Sequence, residues 1–119
     1  MADRLLSIPL KWTRTDGLVT ITGSATLDGD DLVIQLSEAM LELVPVGGST
    51  FRLPADEIES IEAERTLWGC RLRVRVLSPG LLDGFPDHPG DEVELRASRK
   101  YADAAEALAR AVRLRNLPR

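Results

Sequence analysis

Residues 58–77 read Ile-Glu-Ser-Ile-Glu-Ala-Glu-Arg-Thr-Leu-Trp-Gly-Cys-Arg-Leu-Arg-Val-Arg-Val-Leu, and this stretch decides the fold. Arg71, Arg73 and Arg75 alternate with Leu72, Val74 and Val76. A period of two puts arginines on one face and aliphatics on the other, the mark of a half-buried strand. Upstream, Ile61 and Ala63 alternate with Glu62 and Glu64. A reversal at Trp68-Gly69 sets Val76 against Ile61, Val74 against Ala63, Arg75 against Glu62 and Arg73 against Glu64. Apolar then meets apolar and plus meets minus, and such cross-strand pairs are the unit of sheet stability. A slip of one residue would break every match.

The same logic extends upstream. Val19, Ile21, Gly23, Ala25 and Leu27 alternate with Thr20, Thr22, Ser24 and Thr26, giving a long strand with a threonine-rich outer face. Asp28-Gly29-Asp30-Asp31 is its turn, and Leu32, Ile34 and Leu36 follow. With Gly29-Asp30 at the tip, Leu27 meets Leu32 and Ala25 meets Ile34. Gly23 brings no side chain to the buried row and marks a bend or bulge. Met40–Val44 is a third apolar run, broken by Pro45 and Gly47-Gly48 and answered by Phe51-Arg52-Leu53. Pro54–Arg65 has two readings. Pro54 fits a helix N1 position, with Ile58 and Ile61 at helical spacing. The Glu62–Arg75 and Glu64–Arg73 matches favour a tight turn near Asp56-Glu57 followed by a strand. Residues 5–12 carry Pro9 and read as an edge strand or arm, because proline cannot donate to a ladder; Asp16-Gly17 marks the next turn.

Downstream, Ser78–Asp91 is the longest loop, with three glycines and three prolines. Val93, Leu95 and Ala97 form a last strand, and Ser98 is a plausible N-cap. Tyr101, Ala105, Leu108 and Val112 then lie on one helical stripe, widened by Ala104 and Ala111. Asp103 and Glu106 sit early and Arg110, Arg113 and Arg115 late, which complements the helix dipole; Asn116 and Pro118 end it. The expectation is one domain over 1–119: an arm or edge strand over 1–17, antiparallel strands over 18–97 and a helix over 98–116. The fold class is mainly β, about seven strands with one C-terminal α-helix. Strands of that number tend to close or fold over, because open edges are a liability, and a helix capping one end of a small bent barrel buries its stripe.

Composition bounds the function. The chain has 119 residues, 44% hydrophobic and 29% charged, with only 4% aromatic, so its core is aliphatic. A net charge of -4 argues against nucleic acid, which wants a basic face to displace counterions. One cysteine, Cys70, allows no internal disulfide and fits a reducing compartment. No signal peptide or membrane span is visible, so the expected location is cytoplasmic. There is no P-loop, dinucleotide fingerprint or serine–histidine elbow, and no cofactor is expected.

Gly23-Ser24-Ala25-Thr26-Leu27 before Asp30-Asp31-Leu32-Val33-Ile34 is similar to the opening of bacterial pleckstrin-homology-like (PH-like) domains. So are Phe51-Arg52-Leu53-Pro54 with Ile58 and Ile61, the Leu72-Arg73-Val74 strand, and a strand running into a helix at Ser98. The resemblance covers roughly residues 18–115 and rests on element order and apolar spacing. It implies a bent antiparallel barrel of seven strands capped by one helix, and no particular ligand. Lipid-binding relatives use a basic cluster in the first strand–loop–strand; here that turn is the acidic Asp28-Gly29-Asp30-Asp31, which argues against phosphoinositides.

Four candidate sites stand out. Leu67 and Trp68 are unusually apolar for a hairpin tip and, with Trp12, suggest contact with a protein partner, a second copy of the chain or a membrane interface. The plain alternative packs Trp68 against the N-terminal arm. Arg71, Arg73 and Arg75, with Arg52, suggest an anion-binding face, against a solvated face neutralised by Glu62 and Glu64. His88 with Asp83, Asp87 and Asp91 has metal-ligating residue types, yet an Asp-, Gly- and Pro-rich loop needs no metal to explain it. Cys70, with Arg71 lowering its pKa, has the makings of a nucleophile, against a plain small residue near a hairpin end. The reading that follows is a non-enzymatic interaction or self-assembly domain, a homo-oligomer in the simplest case. The alternatives are an adaptor for an anionic ligand or membrane surface, the membrane being disfavoured, and a metal-dependent enzyme centred on residues 78–91.

Overall fold

Seven antiparallel strands in two sheets and one C-terminal helix make up the fold of the computed structural model, which describes residues 6–13, 19–40, 44–83, 85 and 90–116. The first sheet runs in the order β1 (Leu6–Thr13), β2 (Val19–Asp28), β3 (Asp31–Met40), β4 (Val44–Pro54). The second runs β5 (Ile58–Arg65), β6 (Cys70–Val76), β7 (Glu92–Ala97), and α1 spans Ala102–Arg115. The expected strands and helix are present, but no closed barrel forms among the described residues. β1 and β7 lie side by side without a ladder between them, so the two sheets remain split at that seam.

The β2–β3 hairpin has the expected register, Leu27 opposite Leu32 and Ala25 opposite Ile34. Gly29 sits at its tip with φ +62°, a conformation that tight two-residue hairpins need and that glycine adopts without strain. Gly23 is neither bend nor bulge in the ladder, which is unbroken on both sides. It is a close approach: a Cβ there would lie 1.8 Å from the Gln35 carbonyl oxygen. Residues 6–13 are a fully paired edge strand, with Ile8 and Leu10 buried.

Two expectations about turns are corrected. Pro45 and Gly47-Gly48 do not break β4 but lie within it. β4 is the edge of its sheet, where a missing donor is tolerated, and the chain slips register between Glu38 and Ala39 to accommodate this part. The β5–β6 hairpin turns through four residues, Thr66–Gly69, so its register differs by two from the expected one. Ile61 faces Val74, Ala63 faces Leu72, Glu62 faces Arg73 and Glu64 faces Arg71. The Thr66 N–H donates to the Gly69 carbonyl (2.8 Å) and the Gly69 N–H to Thr66 Oγ1 (2.9 Å). That pair of bonds places Leu67-Trp68 at the tip. A shift of two keeps every side chain on its expected face.

Pro54–Arg65 is turn and strand. A 3-10 turn, Ala55–Glu57, leads into β5. A register shift between Ile58 and Ser60 leaves Glu59 extra, so Ile58 and Ile61 both point inward although three apart.

One core joins both sheets and α1. The helix buries Ala102, Ala105, Leu108, Ala109 and Val112; Ala104 is exposed and Ala111 only half-buried, which corrects the expected stripe. Ser98 precedes a 3-10 turn, Arg99–Tyr101, makes no side-chain cap bond, and the α-helix begins at Ala102. Arg113 donates to the Ile61 carbonyl at 2.7 Å, and Arg115 donates to the Gly29 carbonyl at 2.8 Å, tying the helix end to both sheets. Two residues after β6 are anchored in the core: Leu82 is fully buried in a 3-10 turn, Pro79–Leu82, and Phe85 packs on Phe51 with centroids 4.8 Å apart.

Candidate functional site

The exposed face of the second sheet is a grid of charges. Reading across β5, β6 and β7, its rows are Ser60–Arg75–Glu92, Glu62–Arg73–Glu94 and Glu64–Arg71–Arg96. Alternation makes these rows inevitable once the register is set, because residues directly opposite share a face. Arg75 pairs with Glu92 (3.1 Å) and reaches Asp91 at 4.0 Å. Arg71 is hydrogen-bonded to Glu64 and lies 3.8 Å from Glu94. Arg73 sits between Glu62 and Glu94 with no ion pair among the described residues. The arginine row is therefore largely compensated by carboxylates from both neighbouring strands. The Arg71 guanidinium holds the Glu64 carboxyl below its ordinary range, chiefly by donating a hydrogen bond to it.

Arg52 does not join this row. It lies on β4 in the other sheet and bridges Asp31 (2.8 Å) and Asp28 (3.2 Å) across the β2–β3 turn. Asp30 of that turn lies 3.7 Å from Arg115, so the acidic turn carries its own counterions.

Leu67 and Trp68 stand at the β5–β6 tip with 72% and 90% of their surface exposed. Trp68 therefore does not pack on the N-terminal strand. Trp12, on β1, is half-buried against the core, and the groove that Trp68 lines does not include it. That groove has a volume of about 370 Å³ and lies at the β1–β7 seam, between Lys11 on β1, Thr66, Trp68 and Gly69 of the tip, and Arg71 and Arg96 on β6 and β7. Its floor includes Cys70 and Ala97. Gly69 is required by crowding, since a Cβ there would come within 2.7 Å of the Ala97 carbonyl oxygen.

Cys70 is buried, and its Sγ–H donates to the Ser98 carbonyl at 3.5 Å. Burial pushes the thiol up, and the cation that opposes the shift is Arg65, not Arg71. The site gives no activated nucleophile. His88 and Asp87 lie outside the described residues. Among the described residues, no group of three or more His, Cys, Asp or Glu is placed to hold a metal, and no helix is long and apolar enough to cross a membrane.

Sequence reasoning missed Lys11, Glu92, Glu94 and Arg96. The alternation of β7 was visible, but its register against β6 depends on the length of chain between them. Only the fold brings Lys11 beside the hairpin. No family model matches the chain, and comparison with curated proteins and with solved structures gave no match.

Proposed function

We propose that this chain is a non-enzymatic, cytoplasmic, PH-like interaction domain that binds a protein partner, or a second copy of itself, through the β5–β6 hairpin tip. The observation that carries this is the 90% exposure of Trp68 beside the exposed Leu67. Nothing in the fold needs an indole there, since the turn is closed by Thr66 and Gly69. An aromatic costs little side-chain entropy to immobilise and removes roughly 200 Å² from water, a gross gain of about 5 kcal/mol before association costs. Such residues are the usual anchors of interfaces. The order of elements, four strands, then three, then a helix, supports the PH-like reading, and the lone buried thiol fits a reducing compartment.

The test is light scattering of native chain and Trp68→Ala over a range of concentrations. The expected result is an association, with itself or with a protein captured from extract, that the substitution abolishes while the thermal midpoint stays put. If Trp68→Ala associates and captures the same proteins as the native chain, the reading fails.

A further inference from the structure

The charge grid contains one misfit. Its first two rows give the central arginine at least one acidic neighbour and no like charge, whereas the row nearest the Trp68 tip sets Arg71 directly opposite Arg96. Like charges directly opposite destabilise a sheet. Arg71 is hydrogen-bonded to Glu64, and the two guanidiniums share one further carboxylate, Glu94, at 3.8 Å and 3.0 Å. Arg71 also keeps a buried Nε–H with no acceptor, an arrangement that costs free energy wherever it is left so. Lys11 comes from the neighbouring sheet to the same groove. Three cations from three strands thus converge on a groove whose other wall is the exposed Trp68.

Resting on the tip-mediated contact proposed above, we propose that this groove receives an acidic segment of the protein partner. Its carboxylates sit between Arg71, Arg96 and Lys11, and an adjacent apolar side chain lies on Trp68. The occupant is a peptide segment rather than a lipid surface because of what surrounds the cations. Glu64 and Glu94 flank them on the same sheet face, so a flat anionic surface meets repulsion where a narrow chain does not. The volume, about 370 Å³, holds a few side chains and no more. Arginine's planar fork suits carboxylate recognition.

The experiment uses the full chain carrying Trp12→Phe, so that tryptophan emission reports Trp68 alone. The probe is a capped hexapeptide alternating glutamate and leucine; a lysine–leucine hexapeptide, inorganic phosphate and anionic phosphatidylglycerol vesicles are compared with it. The expected result is a saturable emission shift with the acidic peptide only. Arg96→Glu and Lys11→Glu, both on exposed side chains, each weaken it roughly tenfold, and added salt weakens it further. No shift with the acidic peptide, an equal shift with phosphate or vesicles, or affinity unchanged in Arg96→Glu overturns the inference. Association measured in parallel separates the two readings. If Trp68→Ala abolishes association but Arg96→Glu changes neither that nor peptide binding, the tip contact stands and the acidic groove falls. If Arg96→Glu weakens the peptide while Trp68→Ala leaves association intact, the groove stands and the tip contact falls.

Discussion

Gly23→Ala adds one methyl group to a strand paired on both sides, and the structure fixes where that methyl goes. Gly23 sits opposite Leu10 on β1 and Leu36 on β3. Its Cβ would lie 1.8 Å from the Gln35 carbonyl oxygen and 3.0 Å from the Leu36 Cα. Both neighbours are backbone, so no side chain can swing away. Relief requires β2 and β3 to part by roughly 1.2 Å, which stretches a ladder hydrogen bond beyond 4 Å and out of existence. Losing two such bonds costs about 1–3 kcal/mol, and the overpacking adds about 1–3 kcal/mol. The smaller unfolded-state entropy of alanine returns only about 0.4–1 kcal/mol. The expected destabilisation is about 3–4 kcal/mol, a large part of the stability of a domain this size. Urea unfolding followed by far-UV circular dichroism measures it, with the midpoint falling and the slope unchanged. Gly80→Ala is the control. Nothing lies within 4 Å of that position and its φ is not positive, so alanine there is neutral or slightly stabilising. A Gly23→Ala chain within about 1 kcal/mol of native would refute the close-approach argument.

Phe85→Ala removes the ring that packs on Phe51 in the core; it should cost about 3–5 kcal/mol by the same unfolding assay and speed proteolysis within residues 78–91. Glu64 is held below its ordinary carboxyl pKa by Arg71, so its contribution is present above pH 4.5 and is lost as pH falls through the lower folded value. The thermal midpoints of native chain and Glu64→Gln should therefore differ at pH 6 and draw together as the pH falls below 4.5; a gap that stays constant would count against the pairing. Burial raises the Cys70 thiol above its ordinary 9.0, so its stabilisation is intact below pH 9 and declines as pH rises through the folded value. Iodoacetamide at pH 8 should modify the folded chain at least tenfold more slowly than the urea-unfolded chain, as read by mass spectrometry.

Much of the fold was legible because the apolar alternation is strict. Leu27 against Leu32 needed only a two-residue tip with glycine, and the structure has that register. The β5–β6 hairpin was harder for a physical reason. Alternation fixes which face a residue takes but is blind to a shift of two. The choice fell to the turn, where Thr66 supplies both a main-chain and a side-chain partner to Gly69. The same blindness explains the double reading of Pro54–Arg65. A bulge at Glu59 puts Ile58 and Ile61 three apart on one inner face, and three apart is also helical spacing. Pro45 and Gly47-Gly48 misled because their tolerance depends on β4 being an edge, a property of the sheet and not of the segment.

The site was legible only in its local half. Leu67 and Trp68 declare themselves because two large apolar residues in a turn have no local use. Arg71, Arg73 and Arg75 declare their common face, and Glu64 its neutralising role, though on Arg71 and not Arg73. What no alternation could reveal is the third strand. β7 arrives after a long connection, and its register sets Glu92 opposite Arg75, Glu94 opposite Arg73 and Arg96 opposite Arg71, with Glu94 reaching sideways to Arg71 and Arg96. A single residue of slip in β7 would turn Arg96 into the core and expose Leu95, so the hydrophobic term fixes the face on which Arg96 lies. Within that face, the observed register sets Arg71 opposite Arg96, with Leu95 and Ala97 buried beneath. Glu64 and Glu94 offset that opposition only in part, and the remaining surplus of positive charge faces the groove that Lys11 and Trp68 also line.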